Sequence, residues 1–135
     1  MKLQHAIYFA FVGITFGVLL PACSPESMGG PNAVYSDPGS INFGTIGLGG
    51  RPTGPSTIVN GTVNSYRLAY RFTNVAFSLS DLNSDPDTLL SSHQFTIVIQ
   101  FAPKTTGEYL DTLFISDFAS DKLLCTLLLR GAAVQ

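Results

Sequence analysis

From residue 40 onward, apolar and polar residues alternate in short runs, broken by turn-forming residues at fairly even intervals. That spacing predicts strands packed as an all-β sandwich. The clearest run is 95–101, where Phe95, Ile97, Ile99 and Phe101 recur at period two. Successive side chains of a strand point to opposite faces, so these four are expected to face a core. Further strands are predicted over 41–46, 56–59, 65–73, 75–79, 108–116 and 122–129, about seven in all. The Gly- and Pro-rich residues 47–55 make a crossing, Asn60-Gly61 a tight turn and 117–121 a loop or hairpin. Nothing after residue 40 combines helical period with helix caps.

The last predicted strand departs from simple alternation. Leu123, Cys125, Leu127 and Leu129 lie on one face, and Leu124, Thr126, Leu128 and Arg130 on the other. A sandwich strand needs only one apolar face. Either a neighbouring loop or the preceding chain covers the second face, or Leu124 and Leu128 form an exposed stripe that meets a partner.

Upstream the pattern is different. Lys2 and His5 precede an apolar run over 6–20, which stops at Pro21. A positive start followed by a run of this length predicts a secretory signal peptide over 1–22, and the run is short for a membrane-spanning helix. The residues that follow, Leu20-Pro21-Ala22-Cys23-Ser24, resemble a lipobox, the bacterial lipoprotein signal. Leu20 and Ala22 match that pattern, and Pro21 departs from the small or β-branched residue usual at its position. The resemblance implies that Cys23 receives a diacylglyceryl group and becomes the first mature residue, with membrane lipid as its partner. Ser24 resembles the sorting choice for the outer rather than the inner membrane. The alternative is ordinary cleavage after Ala22. Residues 23–39 are rich in Ser, Pro, Gly and Asn without a period and read as a flexible tether, leaving 40–135 as the folded domain.

The domain's segments resemble the bacterial choice-of-anchor D type, within the abnormal-spindle/hydin-like group of immunoglobulin folds. The matching pieces are the opening strand from Ile41 to Gly49, the turn at Val59-Asn60-Gly61, Ala76-Phe77-Ser78-Leu79, the run from Phe95 through Pro103 with Gly107 beyond it, Asp111 to Ile115, and the closing Leu127 to Gly131. A Gly-rich turn usual in that group is replaced by Leu89-Leu90-Ser91-Ser92-His93. The resemblance implies an immunoglobulin-like antiparallel β-sandwich, with Phe43, Phe77, Ile97, Ile99, Phe101, Leu113 and Ile115 on its inner faces. Pro103 ends a strand, and Gly107 and Gly131 are expected at turns. It also implies a protein-binding or architectural role, and it assigns no chemistry.

Charge and candidate chemistry narrow the classes further. Seven Lys and Arg stand against nine Asp and Glu, a net charge of −2, which argues against nucleic acid as a partner. Beyond residue 22 there is one histidine, His93, next to Ser91 and Ser92, with no nucleophile elbow, so no catalytic residues are assigned. Cys125 has no partner if Cys23 is lipidated; it reads as a small buried hydrophobe, with a reactive thiol as the alternative. Asp81, Asn83, Asp85 and Asp87 place oxygens at alternate positions, as at the start of a calcium loop. Pro86 then stands where the turn wants Gly, and Ser92 where a bidentate Glu belongs, so a site there would be weak and the plain alternative is a polar loop. Asn60-Gly61-Thr62 is a formal glycosylation sequon, discounted for a bacterial chain. Tyr66, Tyr70 and Phe72, with Arg67 and Arg71, admit a ligand-stacking strand or ordinary core pairing. The expectation is a lipid-anchored, non-catalytic protein-binding or scaffold module of the bacterial cell envelope, without a cofactor and with an envelope protein as partner. The alternative is a surface adhesin or carbohydrate-binding module.

Overall fold

A computed structural model describes residues 32–80 and 88–135. Cys23 and the Asp81, Asn83, Asp85 and Asp87 segment lie outside the described residues. Nine strands and no helix are found among them: β1 (Val34–Asp37), β2 (Ser40–Gly47), β3 (Thr53–Asn60), β4 (Tyr66–Arg71), β5 (Phe77–Leu79), β6 (Thr88–Leu89), β7 (Gln94–Phe101), β8 (Gly107–Asp117) and β9 (Leu123–Val134). They form a four-stranded sheet in the order β1-β3-β7-β5 and a five-stranded sheet in the order β2-β9-β8-β4-β6.

Period two explains the packing. On β7, Ile97, Ile99 and Phe101 are buried and Phe95 packs against the core, as their alternation requires. Leu68 of β4, Leu113 and Ile115 of β8, and Leu127 and Leu129 of β9 meet them from the other sheet. Burying each such side chain contributes about 1.5–3 kcal/mol. Phe43, Phe77 and Phe101 add an aromatic cluster, with ring centroids 4.9–5.9 Å apart. The outer face of the four-stranded sheet is largely polar; Thr57 and Thr96 share a hydroxyl hydrogen bond of 3.2 Å across β3 and β7.

Besides the short, unpredicted strand β6, the fold differs from the sequence reading at β1, at β2 and at Gly131. Residues 34–37, placed there in the tether, pair with the end of β3 as strand β1. Val34 and Ser36 are buried, and the Ser36 hydroxyl donates to the Thr126 carbonyl (2.9 Å). The chain then changes sheets at the cis Asp37–Pro38 bond, and the Pro38 carbonyl accepts the Ser56 hydroxyl (3.0 Å). Because of that change β2 runs parallel to β9, so the sandwich is not purely antiparallel. Gly107 has φ 141°, as a turn glycine would, but Gly131 lies inside β9, opposite Tyr109.

The end of the sandwich where β1 begins is organised by one buried amide. Asn60 is fully enclosed. Its Nδ2 donates to the carbonyls of Asn64 (2.7 Å) and Leu90 (3.0 Å). Its Oδ1 accepts the Thr62 backbone N–H (2.9 Å) and hydroxyl (2.7 Å). The sequon asparagine is thus a structural tie between two loops. Asn60→Ala is expected to cost about 2 kcal/mol by stranding these groups. Hydrogen exchange should show protection lost first in residues 61–65 and 90–93.

Candidate functional site

The outer face of the five-stranded sheet carries the exposed apolar surface that a sandwich strand does not need. Leu128 of β9 is 48% exposed and Leu110 of β8 is 74% exposed. Leu128 stands between Ser40 and Thr112, and Arg130 between Asn42 and Leu110, as in-register neighbours. Cross-strand partners share a face, so the two leucines and Arg130 form one patch. A depression of about 430 Å³ beside it is lined by Asn42, Gly44, Glu108, Leu110 and Arg130, among others. Further along the face, Arg71 lies over the Phe114 ring (4.6 Å) and Arg67 over the Phe118 ring (5.1 Å).

Leu124 does not share this patch. The β8–β9 register shifts between Ile115 and Ser116, so β9 carries one extra residue there. Such a bulge breaks the alternation, and Leu124 turns half-buried against the core. Of the two alternatives for this face, the exposed one holds in another form: Leu110, Leu128 and Arg130 carry it, and Leu124 does not. Leu110 and Arg130 were not singled out from sequence. Both follow from period two once Leu113 and Ile115 are placed inside.

Tyr66, Tyr70 and Phe72 pack against the core, so β4 offers no exposed row of aromatic rings for stacking a sugar. Its arginines point outward on either side of Ala69, each onto a phenylalanine of the neighbouring strand or turn. His93 is exposed, and its Nδ1 lies 2.8 Å from the Ser91 carbonyl oxygen. Among the described residues no group of three or more His, Cys, Asp or Glu gathers to hold a metal. Cys125 packs against the core. Desolvation pushes its thiol up to about 12, so the reactive thiolate is scarce at neutral pH. Alkylation by iodoacetamide at pH 8 is expected to be much slower in the folded chain than in denaturant. Labelling that is fast in buffer and unchanged by denaturant would contradict this.

No family model matches the chain, and no curated protein matches it either. Solved structures do. The PapD-like domain 7 of human CEP192 aligns over 100% of this chain and 97% of its own, with TM-score 0.62 and 16% identity. SSP-19, an MSP-domain-like protein of Caenorhabditis elegans, aligns over 74% of this chain and 98% of its own, with TM-score 0.50 and 12% identity. The VesB protease of Vibrio cholerae aligns over 75% of this chain but 32% of its own, with TM-score 0.50 and 19% identity. At these identities the likeness establishes the fold: an immunoglobulin-like, PapD-like β-sandwich. Fold alone does not assign function, which must be argued from the surface.

Proposed function

We propose that this chain is a lipid-anchored, non-catalytic protein-interaction module of the bacterial cell envelope, which receives its partner on the outer face of the five-stranded sheet. The observation that carries the reading is the Leu110–Leu128–Arg130 patch. Two leucines exposed in the middle of a sheet keep apolar area in water, and a partner that covers them gains its transfer free energy. Charge narrows the partner. Arg71 and Arg130 stand on this face with Glu108 as its one described carboxylate, so a protein surface carrying acidic groups around an apolar centre complements it. The lipobox resemblance at Cys23 supports the anchor, with the outer membrane favoured by Ser24.

Two experiments test the parts separately. Cys23→Ser is expected to move the protein from the membrane to the soluble fraction; a variant that stays with the membrane refutes the lipid anchor. A photo-reactive residue at Leu110 or Leu128 in the native envelope is expected to give one discrete protein adduct, absent when the same group stands at Thr96 on the opposite sheet. Equal adducts from both faces, or none from either, would refute the docking face.

A further inference from the structure

The end of the sandwich that receives the chain from residue 23 has its own surface character. Asn32 and Ala33 lead into β1 there, and the Ala33 carbonyl accepts the Gly61 N–H (2.9 Å). Separate loops bring exposed apolar side chains to this end: Val63 from the β3–β4 connection, 87% exposed, Leu90 after β6, and Phe118 and Leu123 at either side of the β8–β9 turn. Val63 and Leu123 line one depression of about 460 Å³, together with Lys122 and Tyr66. The loops are held rather than loose: Asn60 ties 62–64 to Leu90, and the Phe118 N–H donates to the Arg67 carbonyl (2.6 Å).

Residues 24–33 separate Cys23 from β1, a contour of under about 40 Å whatever its path. A lipid at Cys23 therefore keeps this end close to a bilayer. Apolar loop tips beside a lysine, whose stem packs on apolar surface while its ammonium stays in water, suit the headgroup boundary. Among the described residues of this end, charge neither drives nor opposes the contact. Arg67 and Lys122 balance Asp117 and Asp121, and the Asp117 carboxylate is held within its turn by the Ser120 N–H (3.1 Å) and hydroxyl (2.5 Å).

We infer that this end of the domain is seated on the lipid surface that holds the anchor, with Val63, Phe118 and Leu123 entering the headgroup region and the five-stranded sheet's outer face left open to the side. The inference rests on the proposed anchor and adds an orientation that the anchor alone does not impose.

The test uses the full lipidated chain carrying Cys125→Ala and a bimane label at Val63→Cys, Leu123→Cys or, at the opposite end, Val75→Cys. Each is reconstituted in phosphatidylcholine vesicles with and without phosphatidylglycerol. Quenching by lipid-borne nitroxide is expected to exceed that at Val75→Cys by about threefold at both near-end positions, in both lipid mixtures, as shallow apolar insertion requires. Vesicles that float with the protein bound, but with all labels equally open to aqueous iodide, overturn the seating and leave the anchor intact. Protein that fails to float with the vesicles overturns the anchor and the seating together. Near-end quenching that appears only with phosphatidylglycerol overturns the apolar contact argued here.

Discussion

Asp111→Ala is expected to lower the stability of the folded domain by about 3 kcal/mol, among the largest losses available from one side chain. Asp111 lies on the inner face of β8, between Tyr109 and Leu113, and is almost fully enclosed. Its carboxylate spends both oxygens on the crossing from β4 to β5. Oδ1 accepts the Thr73 hydroxyl and backbone N–H (3.1 Å) together with the Thr112 N–H (2.7 Å). Oδ2 accepts the N–H groups of Thr73 (3.2 Å) and Asn74 (3.0 Å). Asn74 in turn accepts the Ala76 N–H on its side chain (3.0 Å), so the loop leading into buried Phe77 hangs from this one group. Alanine leaves those donors without their shared acceptor at a part-buried site. The thermal midpoint should fall by on the order of 10–20 °C for a domain of this size. Asp111→Asn keeps the shape but turns an N–H₂ donor toward backbone donors, and should lose about half as much. Glu108→Ala, exposed at the start of the same strand, should change stability by less than about 0.5 kcal/mol. Circular dichroism melts of the three variants decide it. Equal midpoints for Asp111→Ala and Glu108→Ala would show that the clamp contributes nothing.

The same residue explains part of what the sequence hid. The run over 95–101 is legible because its inward positions are all large and apolar. In β8 the inward positions are Tyr109, Asp111, Leu113 and Ile115, and a carboxylate among them disguises the alternation. With Leu113 and Ile115 inside, parity turns Asp111 inward and Leu110 outward, but a lone carboxylate on the inner side obscures that step for the neighbouring leucine. Strand β1 was missed for a related reason: its buried positions are one valine and one serine, in a stretch otherwise rich in Pro, Gly and Ser. Strand β6 has two residues, too few to show a period. The parallel pairing of β2 with β9 follows from a change of sheet after Asp37, which no local pattern encodes. Leu128 was placed correctly because alternation holds from Cys125 onward; Leu124 was not, because the bulge lies between them. The fold class was legible since it needs only the period of the strands. The exposed Leu110–Leu128–Arg130 patch is half legible, since it depends on parity residue by residue.

Gly131→Ala is the second substitution expected to cost heavily, about 2–3 kcal/mol, although it adds a single methyl. A Cβ at position 131 would lie 2.6 Å from Cε1 of Phe101, 2.9 Å from its Cζ and 3.0 Å from its Cδ1. The ring has nowhere to go. Phe101 is fully buried, stacked on Phe77 at 4.9 Å and met edge-on by Tyr109 at 5.4 Å. Glycine is ordinarily a poor choice inside a strand, because it gives up conformational freedom and packs nothing. Here its missing side chain is the space that the aromatic cluster occupies. Gly47→Ala provides the contrast: no atom lies within 4 Å of its added Cβ, and its effect should stay within about 0.5 kcal/mol. If the clash with the ring is the cause, shrinking the ring should relieve it. Phe101→Leu alone destabilises by opening a cavity, yet Gly131→Ala in that background should cost at least about 1 kcal/mol less than in the native chain. Urea unfolding of the single and double variants measures that coupling. Strict additivity would mean that Gly131 is needed for some property of its backbone, and that the Phe101 contact does not set its identity.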